Sequence, residues 1–318
     1  MMEYVMLGKT GLHVSVLGLG GGGHSRLGQR TGATEEESAR LVRRALELGV
    51  TFVDTAEAYG TEAIIGRALQ GRGWQDVVLS TKKSLRVDGR LITAAELMRG
   101  LDASLGRLGT DYVDIYHLHG VRADQYDYAA TELVPAMQRL REAGKIRFLG
   151  ITESFASDPG HEMLTRAVYD DCWDVVMVGF NILNQSARGR VLAETRRRGT
   201  GVLCMFAVRD ALSRPDKLRE TIAELLRQDL IDPDAVDADN PLDFVHSAAE
   251  SLPDAAYRFC RAEPGIHVIL SGTGTLSTWK RTLPPSSARR CPTISARASS
   301  RCLPVWTRSR DSSPRTED

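Results

Sequence analysis

The sequence predicts an α/β chain closed into a (β/α)8 TIM barrel whose eighth helix is missing or disrupted. Eight short, β-rich apolar runs alternate with amphipathic, charged segments over about 270 residues. That alternation describes parallel strands buried on both faces and joined by helices, and eight repeats suit a closed barrel better than an open doubly wound sheet. The chain has 318 residues and is 42% apolar, enough to bury the core of one large barrel.

The strands are expected at "VSVLGLG" (14–20), "TFVDT" (51–55), "DVVLST" (76–81), "YVDIYHLH" (112–119), "IRFLGIT" (146–152), "VVMVGF" (175–180), "GVLCMFAV" (201–208) and "HVILSG" (267–272). The helix in "TEEESARLVRRALELG" opens on Thr34 with Glu37 three residues on, a capping box, and stops at Gly49. "TAAELMRGLDASLGRLG" repeats the device with Thr93, Glu96 and Gly109. Asp210 to Asp254 is long and acidic and is expected to carry at least one helix before the seventh barrel helix. It either covers the barrel mouth or forms a solvated surface loop.

Composition excludes several classes. Lys plus Arg and Asp plus Glu balance at 41 each, so no basic face predicts a nucleic-acid or membrane-surface partner. No apolar run approaches the roughly 18 residues of a membrane span. The N-terminal "MMEYVMLGKTGLHVS" lacks the basic-then-apolar pattern of a secretory signal, which makes a cytoplasmic chain the expectation. Cys172, Cys204, Cys260, Cys291 and Cys302 are widely spaced with no CxxC, which suits reduced thiols rather than disulfides or zinc.

Barrel chemistry sits at the C-terminal ends of the strands. The second strand ends in Asp54, with Tyr59 in the loop that follows. The third ends in Lys82 and Lys83, and the fourth in His117 and His119. Singly, these are a turn residue, a packing aromatic and solvated ends. Together they make a proton-transfer site. A phenol with a pKa near 10 is a poor acid at neutral pH unless a cation stabilises its phenolate. Lys82 can supply that cation, Asp54 can hold it, and His119 can orient a carbonyl oxygen. Period-two alternation puts both histidines on one strand face and does not separate them.

The motifs "LGKTGLHVSVLGLGG", "VDTAEAYG", "LSTK", "DYVDIYHLH", "IRFLGIT" and "ILSGTG" occur in this order over residues 5 to about 276. In these the chain resembles the aldo-keto reductases. The resemblance implies a catalytic tetrad of Asp54, Tyr59, Lys82 and His119. It selects Lys82, which follows a Thr, over Lys83, and His119, which closes a DxxDxYxxH pattern, over His117. It implies NADPH, with NADH possible, and a small-molecule carbonyl or alcohol substrate. Hydride would pass from the nicotinamide to an aldehyde or ketone while Tyr59 donates the proton.

The cofactor positions implied by the resemblance are Gly21, Asp54, Thr152, Glu153, Met205, Phe206, Ser271, Gly272 and Thr273. Several depart from the family pattern. Thr152–Glu153 stands where many members carry Ser-Asn, and Met177 stands near a usual glutamine. The aromatic that stacks on the nicotinamide falls at Met205 or Phe206, and Phe206 could equally be barrel core. Ser271 and Gly272 replace the basic residue that some members use for a 2′-phosphate.

The expected division is a barrel over 1–277 and an anomalous tail over 278–318. From Trp279 the chain holds nine Lys/Arg against three Asp/Glu, with Pro284, Pro285, Pro292 and Pro304 where a helix is needed. Each proline inside a helix costs about 3 kcal/mol. Read one base earlier, the codons across Trp279–Lys280 force a glutamate and permit Leu-Glu-Glu-Asn, akin to the adenosine-binding segment of the family. "PPSS" then permits Ala-Ala-Ile-Leu. A frameshift near Thr278 is therefore expected, against a genuine disordered basic tail. A C-terminally damaged, inactive reductase and a cofactor-sensing binding module stand as alternatives to an active enzyme. Tyr126 and Tyr128 either wall the substrate pocket or pack on the barrel. The sequence carries no signal for oligomeric state.

Overall fold

A computed structural model describes residues 2–272, apart from 72–75, 230, 232, 244 and 246–248. The anomalous tail and Thr273 lie outside the described residues. The strands are β1 (Tyr4–Met6), β2 (His13–Ser15), β3 (Leu17–Gly20), β4 (Phe52–Asp54), β5 (Val78–Ser84), β6 (Arg86–Val87), β7 (Arg90–Leu91), β8 (Val113–Val121), β9 (Ile146–Glu153), β10 (Val175–Gly179), β11 (Gly201–Met205) and β12 (Val268–Ser271). The helices are α1 (Glu35–Glu47), α2 (Glu62–Leu69), α3 (Ala94–Leu108), the single turn α4 (Tyr126–Tyr128), α5 (Val134–Glu142), α6 (Glu162–Ala167), α7 (Ala193–Arg198), α8 (Pro215–Arg227) and α9 (Leu252–Ala262).

Eight parallel strands close in the order β3-β4-β5-β8-β9-β10-β11-β12, with β12 pairing back onto β3. Each predicted barrel strand is present, in the predicted place. Two were read three residues too long: "GVLCMFAV" reaches 208 where β11 stops at Met205, and "VSVLGLG" starts at 14 where β3 starts at Leu17. "VSVLGLG" breaks at Val16, so that β2 turns outward to pair antiparallel with β1 and only β3 enters the barrel. The reason is the floor. Leu7, Leu12 and Val14 of this N-terminal hairpin join Phe52, Ile115, Val175, Met177, Leu203 and Val268 in one apolar cluster that fills the barrel from inside. The hairpin seats against the start of β11, where the Lys9 amide donates to the Gly199 carbonyl at 2.6 Å. A larger apolar cluster lies between the strands and their helices.

Local chemistry sets the helix ends. Thr34 and Thr93 each accept from the amide of the glutamate three residues on, and that glutamate reaches back to the threonine amide, so both capping boxes form. Gly109 closes α3 at φ 71°, a conformation glycine adopts without a Cβ penalty. The acidic excursion carries the expected helix. It is not a bare solvated loop, because Leu218, Ile222 and Leu225 of α8 are buried in the same core as the barrel helices. It departs from the C-terminal end of β11, the rim on which the strands carrying Asp54, Lys82 and His119 also end. Tyr126 and Tyr128 pack on the barrel. Tyr126 is buried and accepts from the Trp173 indole at 3.0 Å, while Tyr128 donates to the Ile92 carbonyl at 3.0 Å. Among the described residues no helix is long and apolar enough to cross a membrane, and no group of three metal-ligating side chains occurs.

Candidate active site

Strand pairing aligns the polar residues read from sequence. Asp54 pairs with Gly20 on one side and Ser80 on the other, and Lys82 pairs with His117. Lys82 is fully buried and Asp54 nearly so, and their ion pair is 2.5 Å long. The Lys82 ammonium also donates to the Thr55 carbonyl at 2.6 Å, and the Ser80 hydroxyl donates to the other Asp54 oxygen at 2.8 Å. An unpaired buried charge costs several kcal/mol, so this mutual satisfaction is what allows an ammonium inside the barrel. Burial pushes the Asp54 carboxyl up, against the Lys82 charge and the Ser80 hydroxyl that hold it down.

Tyr59 ends the one-turn 3-10 segment Glu57–Tyr59 after β4. Its hydroxyl lies 3.2 Å from His119 Nε2, the rings meet edge to face at 88°, and Lys82 Nζ sits 5.1 Å from the phenol ring centre. Lys82 does favour the phenolate, as expected, yet burial outweighs it and the Tyr59 pKa lies above its ordinary value. The hydroxyl therefore stays protonated at neutral pH. Burial and the neighbouring Lys82 charge push His119 down to about 3, so its imidazole is neutral. His117, one layer deeper, reaches neither Tyr59 nor any other partner. It is fully buried, both ring nitrogens lack a hydrogen bond, and its ring fills the space a side chain at Gly150 would need.

The residues expected to hold a cofactor are placed less uniformly. Gly21 lies against β4, where its amide donates to the Asp54 carbonyl at 2.6 Å and a Cβ would meet the Thr61 hydroxyl at 2.8 Å. A Cβ on Gly272 would come within 3.3 Å of the Gly22 carbonyl, so β12 ends in close backbone contact with this loop. Ser271 is buried and accepts from the Tyr257 hydroxyl at 2.9 Å. Thr152 accepts from the Gly120 amide at 2.7 Å, which leaves its hydroxyl proton available. Met205 packs on the interior cluster. Phe206 is not barrel core: it is half-buried at the rim with φ 63°, 5.6 Å from the Phe155 ring and beneath the Arg209 guanidinium.

Glu153 is committed elsewhere. It accepts from His161 Nδ1 at 2.8 Å and from the Gly179 amide at 2.7 Å, with both side chains of the pair sealed from solvent. Burial raises its carboxyl, opposed by His161. Sequence reasoning missed this pair, because its formation depends on the left-handed backbone of His161 at φ 62°. It also left Lys83 unassigned. Adjacent residues on a strand face opposite ways, and Lys83 points outward to a 2.5 Å ion pair with Glu57, two residues before Tyr59. The "KK" doublet was the available signal.

A family model described as the aldo/keto reductase family matches residues 17–283. Among curated proteins, the chain is 37% identical over 157 residues to L-galactose dehydrogenase of Arabidopsis thaliana, covering 48% of each chain. It is 36% identical over 160 residues to the aldo-keto reductase YhdN of Bacillus subtilis, covering 48% of this chain and 47% of that one. Each of these matches spans about half of the relative's length. A longer match joins it to the uncharacterized oxidoreductase YrpG of Bacillus subtilis, 27% identical over 306 residues and covering 89% and 90% of the two chains. The holo form of aldo-keto reductase AKR11C1 from Bacillus halodurans shares the fold, with a TM-score of 0.73 at 22% identity over 98% and 99% of the two chains.

Proposed function

The chain belongs to the aldo/keto reductase family, and from that premise we propose that it reduces an aldehyde or ketone to an alcohol, or runs the reverse reaction, with Tyr59 as general acid. The observation that carries this reading is the closed set of contacts joining Tyr59, His119, Lys82 and Asp54 at one rim.

The chain's own groups divide the work. The substrate carbonyl oxygen is received by the Tyr59 hydroxyl and the neutral His119 imidazole. As that oxygen gains negative charge it becomes a stronger base than phenolate, and the Tyr59 proton moves to it. Lys82 offsets the charge left on Tyr59. Asp54, the Thr55 carbonyl and Ser80 hold Lys82 in register and need no rearrangement during the step. Bound NADPH, or NADH, would supply the hydride. The free Thr152 hydroxyl proton and the side-chain-free surface of Gly21 and Gly272 fit such a group, whereas Glu153 has its oxygens taken. No described basic side chain at Ser271 or Gly272 favours a 2′-phosphate.

The barrel over 1–277 carries this activity in our reading, and the tail from about Thr278 is a frameshift product. The abrupt change in composition from Trp279 supports this. Titrating the chain with NADPH and then NADH, followed by tryptophan fluorescence, tests the function. Micromolar or tighter binding, with turnover of simple aldehydes, is the expected result. A folded chain that binds neither, and that gains binding when the shifted frame is restored in the gene, assigns the defect to the tail. Failure of the restored chain to reduce any carbonyl overturns the reading.

A further inference from the structure

The end of β8 is irregular at His119. Leu118 pairs with Ile151, but the next pair is Val121 with Glu153, so three steps on β8 match two on β9, and His119 and Gly120 both stand opposite Thr152. On its other flank β8 stays regular, with Ser84 paired to His119. An extra residue is rare in a parallel pair, and bulges recur next to active sites, where they re-aim a side chain. Parity shows what this one does. Leu118 and Val121 are three apart, yet both are buried in the cluster between the strands and their helices, whereas strict alternation would send Val121 inward after His119. The bulge ends the interior row at His119 and returns the chain to the outer core.

Two residues build the bulge. Gly120 stands at φ 65°, and a Cβ there would meet nothing within 4 Å, so glycine serves the backbone conformation rather than the space. The Gly120 amide donates to the Thr152 hydroxyl oxygen at 2.7 Å. Thr152 is buried, and its pairing with Met177 of β10 fixes its backbone from the far side. His119, the residue just before that amide, has its Nε2 3.2 Å from the Tyr59 hydroxyl, a contact that a shift of about 1 Å would break. From this run of contacts we infer that Thr152 is a positioning residue for His119: its hydroxyl oxygen pins the bulge, and the bulge sets the imidazole against the proton donor. This rests on the proposed carbonyl reduction and adds a residue to it. The role belongs to the oxygen of Thr152 and leaves its hydroxyl proton free for a bound nicotinamide.

The test compares Thr152→Ser, Thr152→Val, Gly120→Asn and Gly120→Ala with wild type in the reduction of benzaldehyde at saturating NADPH. Serine keeps the oxygen and asparagine tolerates left-handed backbone, so both should stay within about threefold of the wild-type kcat/KM. Valine removes the acceptor and alanine strains the turn, and each should lose roughly 10- to 100-fold, the scale of a misplacement of about 1 Å. Gly120→Ala should do so with NADPH affinity unchanged, which separates the bulge from any contact of Thr152 with the cofactor. In a His119→Ala background the losses from Thr152→Val and Gly120→Ala should vanish, since both act through that imidazole. A merely structural threonine would lower the melting temperature and cost the same with or without His119. In protein labelled with 15N-histidine, the His119 ring signals, identified by their absence from His119→Ala, should move in Thr152→Val and Gly120→Ala and hold in Thr152→Ser. Unmoved ring signals, or losses undiminished in the His119→Ala background, overturn the role. If wild type turns over no carbonyl, the reductase reading fails, while the ring signals still decide whether Thr152 holds His119.

Discussion

Around the barrel mouth, the β4–β5–β8 side and the β9–β10 side use buried polar groups in opposite ways. On the first, Asp54, Ser80 and Lys82 satisfy one another across neighbouring strands and point their surplus at Tyr59 and His119. On the second, Glu153 gives its oxygens to His161 and the Gly179 amide, and Asn181 gives its carbonyl to the Leu183 and Asn184 amides. In the proposed reading one side holds the Tyr59 hydroxyl ready for chemistry, and the other uses Glu153 and Asn181 to fix loops. Burial alone therefore does not mark a functional group here. What marks it is a buried network with a free end facing the mouth.

The sharpest test of that distinction is Tyr59→Phe, which removes the hydroxyl and, of the contacts described, only its 3.2 Å bond to His119. Turnover should fall about 10²- to 10⁴-fold, the usual worth of a positioned general acid, with cofactor affinity and thermal stability unchanged. A residual rate within threefold of wild type would remove Tyr59 from the chemistry and dissolve the contrast. Lys82→Met comes next. It leaves Asp54 charged and buried beside an apolar chain, so stability should drop by about 3–5 kcal/mol in denaturant titration. Adding Asp54→Asn to that variant should recover much of the loss while turnover stays low.

The opposite side should respond in the opposite sense. Glu153→Ala strands the Gly179 amide and the His161 imidazole, at about 1–3 kcal/mol for each buried group left unpaired. The expected outcome is a clear loss of stability, with turnover of the folded fraction within tenfold of wild type. Loss of nicotinamide binding from a fully stable Glu153→Ala chain would show instead that this side holds the cofactor.

Buried neutral histidines supply a pH test. The His119 pKa is about 3 in the fold against an ordinary 6.5, and that of His117 is also pushed well down by burial. The unfolded chain therefore binds more protons below pH 6.5. The contribution of each histidine is fully present above that pH and is lost as pH falls towards the folded pKa, at up to about 1.4 kcal/mol per pH unit per group. Burial raises the Asp54 and Glu153 carboxyls, which acts in the other direction, so the comparison must be wild type against His117→Leu. The variant should lose stability less steeply between pH 6.5 and 4. Parallel curves would mean that His117 is protonated in the fold, with a partner the contacts do not show.

The difference between the two sides also explains what could be read from sequence. Asp54, Lys82 and His119 sit on strands whose apolar runs are unmistakable, and each lies two residues further along its strand than the partner of the one before, so the pairing brings them to one end of the barrel. Tyr59 follows within one short turn. Both capping boxes are local and equally legible. The Glu153–His161 pair depends on a loop in which His161 must adopt φ 62°, and no periodicity encodes that. The N-terminal hairpin was hidden because β2 and β3 form one continuous apolar run, divided only by the need to close the barrel floor. Phe206 was ambiguous for a related reason: its left-handed backbone at the end of β11 turns a strand-like residue out to the rim.

The smallest expected effect comes from the adjacent lysines, which share a strand and almost nothing else. Lys82 points inward and is sealed, while Lys83 points outward to Glu57, whose side chain is 33% exposed. Solvent screens that pair, so its removal should cost no more than about 1 kcal/mol. Yet Glu57 opens the single turn that ends in Tyr59, and Lys83 ties that turn to β5 across the gap left by Gly100. Lys83→Met should therefore lower kcat several-fold at nearly constant KM, Lys83→Arg should restore most of it, and Glu57→Gln combined with Lys83→Met should be no worse than either alone. That non-additivity belongs to a tether acting through Tyr59. If the two losses multiply, the lysine and the glutamate act separately, and the outward face of β5 has no part in placing the proton donor.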